Sequence, residues 1–273
     1  MSEKALAEQK HAGDNFCSVD ILLNRGGSVS IVEVKSATEI ADIYLHDMAY
    51  QYHVVASCGY KVDSVSLLYI NNQYERHGEL DLKELFVLQD CTDEVVPMLP
   101  EIDGNIREIA AVAEAEDESE LDIGAHCLKP YKCGFHSYCF KHIPAHSVFN
   151  VHRLQTKKKF ELYKQDIITF EQILENNVKL NHGQMQQVKA VLDDLPPQID
   201  REAIGRFLDP LTYPLYFLDF ETFQQAIPEY DGVRPYMQIP FQYSLHILDR
   251  QGGNLTHGEF LADAGRDPRR SRT

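Results

Sequence analysis

The sequence predicts a two-domain α/β protein, and three observations predict it. Residues 16–24 (FCSVDILLN) and 28–35 (SVSIVEVK) are apolar and β-branched around Arg25-Gly26-Gly27, the pattern of a β-hairpin. A helix-period stretch and another strand-like run follow it, which is a mixed α/β order. Beyond residue 210 a second set of strand-like segments begins, and 273 residues suit about two domains at ~150 residues each.

Taken in order, residues 39–57 carry Ile43, Tyr44, Met48, Tyr50 and Val54 at helical spacing, and Gly59 stops the helix. Residues 62–71 (VDSVSLLYIN) read as a strand. Residues 169–194 read as a helical connector broken near Asn181-His182-Gly183 and ended by Pro196-Pro197. The second set comprises 215–222 (LYFLDFET), 241–249 (FQYSLHILD), followed by Gly252-Gly253, and 255–262 (LTHGEFLA). Residues 266–273 are Arg-rich and lack apolar side chains, so they are expected to lie outside any core.

Composition narrows the function. Hydrophobic residues make up 44% and charged residues 25%, enough to bury a core. Acids outnumber bases 42 to 26, a formal charge of −16, which excludes a wholesale basic nucleic-acid binder. The charge is uneven. Residues 75–122 hold 16 acids and 3 bases, whereas residues 127–164 hold 8 bases and 1 acid. The acidic run 114–122 (EAEDESELD) reads as a solvated helix end or loop. Lys157-Lys158-Lys159, beside Phe160 and Tyr163, reads either as a solvated helix face or as a phosphate-facing patch. Residues 1–14 lack the apolar run of a signal peptide, and no stretch approaches ~18 apolar residues, so a cytoplasmic protein without a membrane span is expected. Six cysteines are too few for a disulfide scaffold at this length, and a cysteine cluster in a reducing compartment reads first as metal-binding.

Three constellations carry chemistry. Asp20 lies in the first strand of the hairpin; Glu33 and Lys35 lie in the second, two residues apart and on one face. Two carboxylates and the Val34 carbonyl offer hard oxygen ligands suited to Mg²⁺, and a lysine beside them would act on a water or a phosphate. A half-exposed salt bridge is the alternative. Cys127, Cys133 and Cys139 stand at even spacing in HCLKPYKCGFHSYC, without the Cys-x-x-Cys pairs of a zinc ribbon. Zn²⁺ held with His126, His136 or His142 and plain thiols both stay open; Cys58 and Cys91 read as buried, inert thiols. Asp219 and Glu221 share one face of an apolar strand flanked by Phe217, Leu218 and Phe220, which is expected to be buried; an acid pair at a strand end is the alternative.

These residues carry a resemblance. Asp, then Glu-x-Lys, then a helix bearing Gln51 resembles the RecB-like branch of the PD-(D/E)XK nucleases, although Val55 stands where the Tyr of a Gln-x-x-x-Tyr motif would be. The resemblance implies that Asp20 and Glu33 hold Mg²⁺ or Mn²⁺, that Lys35 acts on water or phosphate, and that Gln51 supports the site. Three cysteines closing such a domain resemble those of iron–sulfur nucleases, implying Cys127, Cys133 and Cys139 as ligands of a 4Fe–4S cluster whose fourth ligand is not identified. FLDFET resembles the first motif of DEDD-type 3′–5′ exonucleases on the RNase H-like fold. It implies Asp219 and Glu221 as half of a two-metal site, while Asp249, Glu259, Asp263 and Asp267 stand too early for its other half. Together with VDILLN, IVEVKSAT, DMAYQYHVV and RPYMQIPFQYSLH, these motifs resemble an uncharacterised bacterial family that joins the two nuclease types. The expected organisation is a RecB-like domain over 1–150, clipped at its N-terminus, a helical connector over 151–210, and the start of an exonuclease-like domain over 211–273, clipped at its C-terminus. The expected activity is hydrolysis of DNA phosphodiester bonds. The alternative is a non-catalytic, nucleic-acid-binding or inactive fragment.

Overall fold

The computed structural model of the chain describes residues 4–12, 15–118 and 121–270. They form a mixed α/β structure with two sheets that divides into two compact units. One runs to Glu114 and resumes at Leu211; the other is Ala115–Pro210. The divide read at residue 150 therefore falls inside a unit. Its physical reason is a shared core: Cys127, Cys139, Phe140 and Ile143 of the cysteine segment pack with Phe160 and Tyr163 of the connector.

The first unit is built on a five-stranded sheet in the order β1 (Lys4–Ala12), β2 (Asn15–Asn24), β3 (Ser28–Val34), β4 (Lys61–Ile70) and β5 (Phe86–Asp90). β2 and β3 form the expected antiparallel hairpin. β3 and β4 are parallel, so the chain must cross over between them, and it does so through α1 (Asp42–Ser57). Met48, Ala49, Val54 and Val55 of α1 are buried with Val29, Ile31, Val65 and Leu67 of the strands. Each of these valine, leucine, isoleucine and methionine side chains contributes about 1.5–3 kcal/mol of burial. Gly59 ends α1 with a φ of 87°, a conformation that favours glycine. Two short helical turns, α2 (Leu82–Leu85) and α3 (Thr92–Val95), flank β5, and α4 (Leu99–Glu114) closes this part of the chain. The acidic run thus begins at a helix end as read; its Ser119 and Glu120 lie outside the described residues. β1 and β5 are strands that the composition does not announce.

The second sheet of this unit is antiparallel, β6 (Leu215–Phe223), β7 (Ile239–Leu248) and β8 (Leu255–Leu261), within two residues of the expected segments. Its burial departs from expectation. Phe217, Leu218 and Phe220 are exposed, so FLDFET is not a buried strand; the short 3₁₀ turn Pro268–Arg270 packs against β7 but leaves these side chains uncovered. The segment after β8 also departs from expectation. Pro268 is buried, and the Arg269 guanidinium donates to the Asp231 carbonyl at 2.6 Å and to Asp267 at 2.8 Å, so the Arg-rich stretch is tied down by charge rather than left outside. Residues 271–273 lie outside the described residues.

The second unit is helical: α5 (His136–Cys139), α6 (Thr156–Tyr163), α7 (Phe170–Glu175), α8 (His182–Leu192) and α9 (Arg201–Leu208). The connector breaks earlier than expected, after Glu175, where Asn177 takes a φ of 48°. Asn181 does not break a helix; it starts α8, its side chain accepting from the Gln184 amide while Gln184 returns a bond to the Asn181 amide. α8 also ends at Leu192, ahead of Pro196. No helix among the described residues is long and apolar enough to cross a membrane.

Candidate functional site

Asp20, Glu33, Lys35 and Gln51 meet in the first unit. Two local features aim Asp20. The β1–β2 register slips between Leu6↔Leu22 and Glu8↔Val19, which leaves one extra residue in β2 beside Asp20. Such bulges bend a strand and redirect a side chain. The β2–β3 ladder ends at Ile21↔Val32, and the Asp20 carboxylate takes over, accepting the Val34 amide at 2.9 Å. Glu33 follows Val29 and Ile31 along the face that α1 covers, and only 4% of it is exposed.

Buried carboxylates require partners. The Gln51 amide donates to Glu33 Oε2 at 2.7 Å, and the Lys35 ammonium donates to Oε1. Lys35 also reaches Asp47 Oδ2 at 3.0 Å and lies 5.6 Å above the Tyr44 ring. Burial pushes the Glu33 carboxyl above its ordinary value, against the bonds from Lys35 and Gln51 and with the help of the Asp20 and Asp47 charges. Burial pulls the Lys35 ammonium down, but its bonds to Glu33 and Asp47 outweigh that and raise its pKa. Lys35 is therefore a firmly held cation. Gln51 Oε1 is buried without a hydrogen-bond partner.

Asp47 and Tyr44 are site residues that the motif reading misses. The signal was present: Asp47 precedes Gln51 by four residues and so shares its helix face. A further support comes from the β6–β7 connection. The Tyr236 hydroxyl donates to the carbonyl of Ser36, the residue after Lys35, while the Tyr236 amide donates to the Gln225 carbonyl at 2.7 Å.

A divalent cation fits this donor set in kind. Asp20, Glu33 and the unpartnered Gln51 oxygen are hard donors, and Mg²⁺ completes its shell with water and substrate oxygens. Among the described residues no three His, Cys, Asp or Glu side chains converge as a ligand set. That statement covers the cysteines too. Cys127 is buried, Cys139 half-buried and Cys133 exposed, and the Cys133 amide bonds the Cys127 carbonyl at 2.9 Å, closing a loop without gathering the sulfurs. Cys91 is fully buried, burial pushing its thiol up, and Cys58 is half-buried.

Asp219 and Glu221 are exposed on β6, opposite Ser244 and Gln242 of β7. The next strand adds Glu259 opposite Ser244 and His257 opposite His246, so the row Asp219–Ser244–Glu259 crosses the sheet as a polar band. On it Ser244 Oγ lies 3.0 Å from His257 Nε2, and the two histidine rings stack at 4.4 Å.

The model of a domain of unknown function, DUF2779, matches residues 216–273, the second sheet and the turn after it. No curated protein and no solved structure matches the chain significantly.

Proposed function

We propose that the protein is a metal-dependent nuclease that hydrolyses DNA phosphodiester bonds at the Asp20–Glu33–Lys35–Gln51 site. The observation that carries this reading is Glu33: a carboxylate in a sheet interior, clamped between Lys35 and Gln51, with Asp20 and Asp47 close enough to raise its pKa. Assembling so much charge under α1 opposes folding, and a structural role would be served as well by apolar side chains.

Asp20 and Glu33 would hold a divalent ion, which when bound supplies Lewis-acid stabilisation of the phosphoryl oxygens and a more acidic water. Lys35, kept protonated by Glu33 and Asp47, is suited to neutralise charge on the phosphate and is poorly suited to act as a base. Gln51 orients Glu33, and Asp47 orients Lys35. The DEDD-type role of Asp219 and Glu221, and the 4Fe–4S role of Cys127, Cys133 and Cys139, rest on the resemblance alone. The cysteines as arranged form no ligand set.

The test is cleavage of labelled single- and double-stranded DNA by the full chain with Mg²⁺ or Mn²⁺. Cleavage should fall at least about 100-fold in Lys35→Ala, the low end of what one positioned charge supplies. Intact DNA with both metals, or a Lys35→Ala rate equal to that of the parent, would overturn the reading.

A further inference from the structure

We propose that the second unit carries a separate binding cleft for the phosphate backbone of a single-stranded nucleic acid, formed where α6 and α8 begin. The cleft has a volume of about 520 Å³ and is lined by Arg153, Lys157, Lys158 and Lys179, with Glu161 as its one acid. Among the described residues none of these four cations has a side-chain ion pair or hydrogen bond. In a chain of net charge −16, four unpaired cations facing one concavity form a local field of opposite sign.

The run Lys157-Lys158-Lys159 is not uniform. Lys159 is used internally: its ammonium donates to the Phe149 carbonyl at 2.8 Å. Lys157 and Lys158 line the cleft.

Arg153 is held there at a cost in backbone strain. Its φ is 52°, which a non-glycine residue rarely adopts and which persists only where neighbours over-determine it. They do so here. The His152 amide donates to Gln187 Oε1 at 2.8 Å, Gln184 donates to the His152 carbonyl at 3.0 Å, and Gln187 donates to the Asn150 carbonyl at 2.9 Å. Gln184 is buried and itself lines the cleft.

The start of α6 adds donors. Gln155 makes no side-chain cap, so amides of the first turn are left for a ligand, whereas Asn181 caps α8. No aromatic side chain lines the cleft, so it offers phosphate contacts rather than base stacking. The choice of DNA as the strand rests on the nuclease reading above; the anion-binding chemistry does not.

The test is anisotropy of a fluorescein-labelled single-stranded DNA oligonucleotide against the full chain in EDTA, over a salt series. Four phosphate contacts predict a slope of log affinity on log salt near −3, at about −0.7 per contact on single strands. Lys157→Gln/Lys158→Gln should weaken binding more than about tenfold and flatten the slope by about 1.4. Lys164→Gln, at the C-cap of the same helix but outside the cleft, should change affinity less than about twofold, and circular dichroism melts check that each variant is folded. No binding, or parental affinity and slope in the double variant, overturns the proposal. So does complete displacement by inorganic pyrophosphate at equal phosphate concentration, which would assign a small-anion site instead. Glu33→Gln separates the two readings: it should bind like the parent, so lost cleavage with retained binding leaves the cleft standing. Cleavage without cleft-dependent binding would overturn the cleft alone.

Discussion

Lys35→Met is expected to lower stability by about 2 kcal/mol at pH 8 in EDTA, and by clearly less at pH 5. Removing one member of a buried ion pair costs about 3–5 kcal/mol because the other charge stays buried. The Lys35 side chain is 27% exposed, so screening reduces that figure. Methionine keeps an unbranched apolar stem but leaves Glu33 with Gln51 alone. The pH trend follows from the sign of the Glu33 shift. Its pKa is already above the ordinary value, and losing the ammonium raises it further. A raised carboxyl contributes stability that is present below its unfolded pKa and lost as pH rises through the folded one. The variant should therefore recover stability on acidification relative to the parent. Urea melts at the two pH values measure it, and an equal loss at both would show that Glu33 is not a buried charge.

Phe170→Ala is expected to cost about 3–5 kcal/mol, the range for truncating a buried aromatic side chain. Phe170 is 1% exposed and packs in the core of the second unit with Val148, Ile173 and Val188. It follows Thr169, whose side chain and Gln172 form a capping box, so the ring is fixed at the start of α7. Phe170→Leu, which keeps most of the volume, should lose less than half as much. The same core supports α6 and α8, so Phe170→Ala should also weaken DNA binding through the cleft near its melting transition. A urea midpoint unchanged in Phe170→Ala would contradict this packing.

The parts legible in the sequence were those where side-chain period and burial agree. Val29, Ile31 and Glu33 alternate on one face of β3, and Met48, Val54 and Val55 recur on α1, so the strand–helix–strand core and the Asp20–Glu33–Lys35 grouping could be read from spacing, while Gln51 entered only through the resemblance to RecB-like nucleases. β1 could not. KALAEQKHA is rich in lysine, glutamine and alanine, which suits an edge strand and mimics a loop. β5 was hidden by its length, five residues after a helical turn. The connector misleads because Asn181-His182-Gly183 has the composition of a helix break, whereas the Asn181 side chain caps α8. β6 misled in the other direction. Its apolar run looks like a core strand, yet Phe217, Leu218 and Phe220 are exposed, because hydropathy records a side chain's preference and not whether another layer packs on it. Asp47 was legible only in hindsight of Gln51, since a carboxylate on a helix otherwise reads as solvated.

The most direct measurement is the rate of Mn²⁺-supported cleavage of one labelled DNA by the parent, Glu33→Gln and Glu221→Gln, side by side with their melting temperatures. Glu33→Gln keeps the shape of the clamp and removes its charge, so the expected result is at least about a 100-fold loss of rate in a folded protein, with Glu221→Gln near the parent. Parental cleavage by Glu33→Gln would contradict the assignment of the hydrolytic site.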